Sequence, residues 1–295
     1  MMEKTVPTIM MITPAIGYKT DGMEEKGIML YRPYKDKGII GRIMREIWFR
    51  IGMPESVWYN KAIAKQEDIS KIVVKDCLIT ISFLNWIKSV QTGVEIEYFY
   101  DNLVGTAKHL LPSQVPTGIN LGTFDPGDSQ KYGMRLGEGG EFPRQHLRSR
   151  LPNEYDVFYV GADKGRGDYV MSLKQQFERM GLKTKFIITP VSIYSKRKDY
   201  YSSRIPYSEV LDYDCKSKAI LNIVLPGQTG ATKRDYEALF LKSKLITNNS
   251  NIKNYDFYRP ENIFILEEDP IEELVSFINM PLIPIDEKVL QKHLA

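Results

Sequence analysis

The chain is poor in cysteine and histidine. Cys77 and Cys215 stand far apart among 295 residues, and the three histidines, His109, His146 and His293, are equally scattered. Neither set has the spacing of a disulfide framework or a zinc site, so a reducing cytoplasm is the expected compartment and no metal is expected. Long apolar runs are missing too. No stretch reaches the roughly 18 apolar residues of a spanning helix, and residues 1–14 lack a basic segment ahead of their short apolar stretch. Neither a membrane span nor an export signal is therefore expected. A large excess of one charge is also absent. Forty basic residues face 37 acidic ones, a net charge of +3, which is too balanced for a general nucleic-acid binder. Finally, no Gly-x-Gly-x-x-Gly follows the first expected strand. Pro14-Ala-Ile-Gly is a poor substitute, which disfavours an NAD-dependent dehydrogenase.

What remains is ordinary globular material, 43% hydrophobic and 26% charged. Its length suits two domains of roughly 140 residues, each able to bury its own core. The pattern alternates. Residues 8–13, 71–75, 94–100 and 119–124 read as strands, and 39–51 and 79–90 as helices. After a Gly/Pro/Arg-rich stretch at 137–152, expected to be a linker, alternation resumes. Strands are expected at 156–160, 185–189, 219–225, 245–247 and 263–266, and helices at 167–180, 207–216, 232–242 and 271–278. This predicts an α/β chain of two Rossmann-like doubly wound domains, 1–145 and 146–295, facing a cleft.

Two loops carry chemistry. Gly227-Gln-Thr-Gly runs into a helix starting near Thr232, where backbone amides and close-approach glycines suit a phosphate. Lys233 and Arg234 add positive charge in the first turn, where acids are usual, so an anionic ligand is expected to compensate them. Glu237 lies one turn beyond Arg234, placed for ribose hydroxyls. The competing reading is a plain turn, with Thr232 and Asp235 forming a capping box and Glu237 solvated. The second loop, Gly161-Ala-Asp-Lys-Gly-Arg, follows the first strand of the second half, and Lys164 and Arg166 there also suit phosphate. Both loops are expected at the same edge of one sheet.

These residues resemble a known family. Tyr159-Val-Gly-Ala-Asp-Lys-Gly-Arg, Gly227-Gln-Thr-Gly-Ala-Thr-Lys-Arg-Asp-Tyr-Glu-Ala-Leu-Phe, Lys244-Leu-Ile-Thr-Asn-Asn and Asp256-Phe-Tyr-Arg-Pro-Glu-Asn-Ile are similar to GT-B-type glycosyltransferases of bacterial capsule, exopolysaccharide and lipopolysaccharide synthesis. Tyr98-Phe-Tyr-Asp-Asn and Thr123-Phe-Asp-Pro-Gly-Asp extend the likeness into the first half. The resemblance spans about residues 70–280 and is strongest after 155. It implies an acceptor-binding first domain and a second domain that binds a nucleotide-diphosphate sugar, with a UDP-sugar as the expected donor, no cofactor and no required metal. By position, Glu237 would bind the donor ribose. Gln228, Thr229, Gly230, Thr232, Lys233 and Arg234 would hold the diphosphate with Gly161, Lys164 and Arg166. Many retaining members carry a second glutamate where this chain has Thr229, so the stereochemical course does not transfer.

Without a metal, lysines, arginines and helix amides must stabilise the departing diphosphate. An inverting transfer also needs a base from the first half, for which Asp21 and Asp76 are the candidates. Asp125, followed by Pro-Gly-Asp, reads as structural. A nucleotide-sugar epimerase of the same architecture, or a non-catalytic nucleotide-binding scaffold, remains as an alternative. Residues 35–61 carry six basic residues against three acids. Their amphipathic helix, with Ile40, Ile43, Met44, Ile47 and Ile51 on one stripe, suits either a sheet-covering role or peripheral contact with an anionic membrane surface beside a lipid-linked acceptor.

Overall fold

The computed structural model describes residues 8–14, 23–24, 27–35, 37–76, 78–104, 110–137, 142–192 and 195–294. The chain divides into two compact units, Met1–Gly137 and Glu138–Ala295.

Among the described residues the first unit holds six parallel strands: β1 (Thr8–Ile12), β2 (Ile28–Tyr31), β3 (Ile69–Lys75), β4 (Glu95–Tyr100), β5 (Asn120–Thr123) and β6 (Arg135–Leu136). Their order is β2-β1-β3-β4-β5-β6, so the winding direction reverses between β1 and β3. Three helices accompany them: α1 (Gly38–Arg50), α2 (Ile81–Val90) and α3 (Pro126–Tyr132). One sheet face is apolar. Ile72, Val74, Ile96, Tyr98 and Tyr100 pack there against Phe83, Leu84 and Ile87 of α2. The opposite face is buried as well, at Met11 and Phe99. It carries Glu97, whose carboxylate takes two hydrogen bonds from Arg135 at 2.6 and 2.7 Å and lies 3.1 Å from the Lys71 ammonium. The period-two alternation of Lys71-Ile72 and Glu95-Ile96-Glu97 places these charges on the side away from α2, beside Phe99.

α1 forms where its periodicity indicates, but with its faces reversed from a simple cover. Phe49 meets Tyr34 edge-on at 5.5 Å, the Arg45 guanidinium lies 4.5 Å over the same ring, and Trp48 packs on the core. The isoleucine stripe points away and is exposed. Asp125 caps α3, accepting from the amides of Gly127 and Asp128, with Pro126 at the first helical position.

Among the described residues the second unit has five parallel strands: β7 (Tyr155–Ala162), β8 (Thr184–Thr189), β9 (Ser217–Asn222), β10 (Lys244–Thr247) and β11 (Ile263–Ile265). Their order is β11-β10-β9-β7-β8. Between them run α4 (Gly167–Arg179), α5 (Tyr207–Cys215) and α6 (Lys233–Phe240), followed by α7 (Leu274–Asn279) and α8 (Glu287–Lys292). Strand residues alternate between two cores. Ala219, Leu221 and Ile246 face α4 and α7, while Ile220 and Leu245 face α5 and α6. Both sides are thus closed, as a doubly wound sheet requires. Phe142, from the glycine-rich stretch, is fully buried in the second of these cores and stacks on Phe240 at 5.1 Å. Among the described residues no helix is long and apolar enough to cross a membrane.

Candidate functional site

In a doubly wound sheet, a crevice opens beyond the carboxyl ends of the two strands where winding reverses. In the second unit those strands are β7 and β9. From β7 the chain moves to β8 through α4 on one face. From β9 it moves to β10 through α6 on the other. The loops leading into α4 and α6 therefore flank the crevice, and these are the two glycine-bearing basic loops. Arg166 joins them, donating from its guanidinium to the carbonyl of Ile223, just past β9.

The loop after β7 is built around Asp163. Its Oδ1 accepts from the amides of Gly165 and Gly167 at 3.0 and 2.8 Å, and its Oδ2 from the Tyr201 hydroxyl at 2.6 Å. Burial pushes this carboxyl up, but those donors and Lys198 outweigh it and hold Asp163 below the usual carboxylate range. Lys164 and Gly165 both take positive φ, at 46° and 85°, which places Lys164 outward and exposed. Gly161 lies inside β7 rather than in the turn. A Cβ there would come within 2.8 Å of the Tyr159 hydroxyl, so the missing side chain makes room for a phenol, where the sequence suggested room for phosphate.

The loop after β9 is held as firmly. The Asn248 side chain both donates to and accepts from the Val224 backbone, at 3.2 and 2.8 Å. Asn249 donates to the carbonyls of Thr229 and Gly230, and the Tyr255 hydroxyl accepts from the Ala231 amide. Gly227 turns the chain at φ 86°. Gln228 and Thr229 are half-buried beside it. Thr232 caps α6 and exchanges bonds with Asp235 in a capping box. The helix-start donors at Gly165, Gly167, Thr232 and Arg234 are thus taken by internal acceptors, and attraction for an anion falls to the side chains of Lys164, Arg166 and Lys233. The Lys233 ammonium sits 4.1 Å over the Tyr207 ring.

Arg234 and Glu237 turn inward. Arg234 donates to both oxygens of Asp214 and to Glu237, which also accepts from the Tyr207 hydroxyl at 2.7 Å. Asp214 and Glu237 are almost wholly enclosed. Two carboxyl groups share one guanidinium. Burial pushes Asp214 up to about 7, against the pull of Arg234 and helped by the charge of Glu237. Burial, with Glu237 beside it, raises Tyr207 far above the ordinary phenol range. Glu237 is therefore neither solvated nor openly presented. Its partners Tyr207 and Asp214 escaped the sequence reading, although their separation of seven residues puts both on one face of α5.

In the first unit the reversal falls between β1 and β3, and Asp76 directly follows β3. It is nearly buried, and its Oδ1 accepts from the Tyr98 hydroxyl at 2.6 Å. Asp21 lies outside the described residues. Among those described, no group of three or more His, Cys, Asp or Glu side chains is placed to hold a metal ion. Asp212-Tyr-Asp214 has a metal-motif spacing, but on α5 the two carboxylates diverge. Asp212 lies 3.4 Å from Arg148, while Asp214 is on Arg234.

No protein-family model and no curated protein matches the chain. Its fold is similar to that of sucrose-phosphate synthase from Thermosynechococcus elongatus, at 12% identity and a TM-score of 0.59, over 92% of this chain and 89% of that one. A glycotransferase of kitacinnamycin aligns at 9% identity and a TM-score of 0.40, over 97% and 93% of the two chains. The α/β fold of two parallel sheets with flanking helices is the fold shared with sucrose-phosphate synthase.

Proposed function

We propose that this chain is a metal-independent glycosyltransferase that moves a sugar from a nucleoside-diphosphate donor, with UDP as the expected nucleotide, to a saccharide or lipid-linked acceptor in cell-surface polysaccharide synthesis. One observation carries the reading. The reversal crevice of the second sheet is bridged by Arg166 and flanked by Lys164 and Lys233, in a chain that shares its fold with sucrose-phosphate synthase over most of its length. The likeness of residues 159–166 and 227–240 to capsule and lipopolysaccharide enzymes supports the polysaccharide role.

In this proposal Lys164, Arg166 and Lys233 meet the charge that grows on the departing diphosphate, with Gln228 and Thr229 lining the approach. The donor ribose reaches Glu237 by replacing the Tyr207 hydroxyl, while Arg234, gripped by Asp214, positions that carboxylate. In the first unit Asp76 takes the proton of the acceptor hydroxyl as its oxygen attacks the anomeric carbon and the diphosphate leaves.

Incubation with a panel of nucleotide sugars, with and without saccharide acceptors, tests this. The expected result is thermal stabilisation by a nucleoside diphosphate and sugar transfer only when acceptor is present. Stabilisation at 100 times the dissociation constant should amount to roughly 2.7 kcal/mol. Epimerised donor without acceptor, binding without turnover, or no shift at millimolar nucleotide would each overturn the reading.

A further inference from the structure

α1 offers a second surface, independent of the nucleotide site. Its thirteen residues bury only Gly41, and they touch the core through Trp48, Phe49 and the guanidinium of Arg45. The other side is apolar and open. Ile39, Ile40, Ile43, Met44, Ile47 and Ile51 are each between 53% and 76% exposed. At about 100° per residue these six fall within an arc of roughly 140°, one continuous stripe. Six large aliphatic side chains in one exposed row are costly in water, and such patches mark interaction sites.

The charges around the stripe indicate what covers it. Arg42 and Arg50 are exposed along one flank, with Glu46 between them, and Lys35 and Lys37 are exposed just before the helix. A second copy of this chain docked stripe to stripe would bring these cations together. An anionic lipid surface would match them, with the isoleucines entering the acyl boundary and the arginines reaching the headgroups. The anchoring of Phe49 and Arg45 on Tyr34 keeps the helix folded without a partner, so the surface is ready before docking.

We infer that the α1 face of the first unit docks in the plane of an anionic bilayer, the isoleucine stripe inserting and Arg42 and Arg50 holding lipid phosphates.

The test is co-sedimentation of the full chain with vesicles of phosphatidylcholine alone and of phosphatidylcholine with phosphatidylglycerol. Wild type, Ile43→Gln/Ile47→Gln and Arg42→Gln/Arg50→Gln are compared, and circular dichroism and light scattering are run on each. All four substituted side chains are exposed, so the fold should persist. The expected result is binding to the anionic vesicles that weakens with salt. It should fall at least ten-fold in the isoleucine variant and about thirty-fold in the arginine variant, the worth of two basic residues near such a surface. No binding to anionic vesicles at low salt overturns the inference, as does binding that folded variants leave unchanged. Self-association abolished by the isoleucine changes, without vesicle binding, overturns it in favour of a second copy.

Discussion

Arg234 donates both terminal guanidinium nitrogens to Asp214, at 2.7 and 3.0 Å, joining the start of α6 to the end of α5 inside the protein. Removing one member of a buried ion pair leaves a charge without compensation and costs about 3–5 kcal/mol. Arg234→Met leaves two enclosed carboxylates facing each other and should destabilise by at least that amount in urea unfolding. A loss below about 1 kcal/mol would show that the guanidinium serves the surface instead.

The same cluster sets a pH dependence. An unfolded aspartate titrates near roughly 3.9, whereas burial and Glu237 hold Asp214 at about 7 against the pull of Arg234. Between those values the folded protein keeps a proton that the unfolded chain has lost. This stabilisation is therefore complete at the acid end and drains away as pH rises towards 7, at no more than about 1.4 kcal/mol per pH unit. Glu237→Gln removes the neighbouring negative charge, lowers Asp214 and should flatten the slope. Urea midpoints at several pH values from 5 to 7 check it, and parallel slopes for variant and wild type would refute it.

The strands of the second unit are legible in the sequence because both their faces are buried. Residues such as those of Ala219, Ile220 and Leu221 form apolar runs bounded by turn residues. β2 was missed because its four residues are only half-buried and carry no alternation, and β6 because two residues hold no pattern. The helical period of α1 was plain, but period alone does not say which side meets the core. That was decided by Tyr34, which lies outside the helix. At the site, the two basic loops and their shared edge follow from strand order and turn chemistry. The inward turn of Arg234 and Glu237 depends on Tyr207 and Asp214 from another helix, a tertiary relationship that local spacing does not encode.

Tyr159 and Gly161 make a separable pair. The Tyr159 hydroxyl is enclosed, with the Arg166 guanidinium as a polar neighbour but no well-aligned hydrogen bond, so Tyr159→Phe should cost less than about 1 kcal/mol. Gly161→Ala pushes a methyl to 2.8 Å from that hydroxyl and should cost about 1–3 kcal/mol. In the Tyr159→Phe background the alanine should cost no more than half as much. A double-mutant cycle by thermal unfolding reads the coupling, and strict additivity would mean that the strain lies elsewhere.

If Lys164, Arg166 and Lys233 meet the departing diphosphate, transfer should survive chelation. Turnover in excess EDTA should stay within about two-fold of the untreated rate, since charged side chains supply the stabilisation a metal clamp otherwise provides. Loss of activity restored by Mg²⁺ or Mn²⁺ would remove those side chains from that role.

Asp76 is the sharpest test of the proposed chemistry. It stands at the reversal point of the first sheet, where the acceptor is expected, and Tyr98 fixes one of its oxygens at 2.6 Å. A general base typically contributes roughly 10²–10⁴-fold. Asp76→Asn keeps the size of the side chain and an acceptor for Tyr98, so folding and donor-induced thermal stabilisation should persist while kcat falls by that factor. Tyr98→Phe leaves the carboxylate in place but removes one of its hydrogen-bond donors. It should lower kcat less, within about ten-fold. Full turnover in Asp76→Asn would exclude this carboxylate from proton transfer. A collapse of donor binding in the same variant would instead make it a structural group of the first sheet.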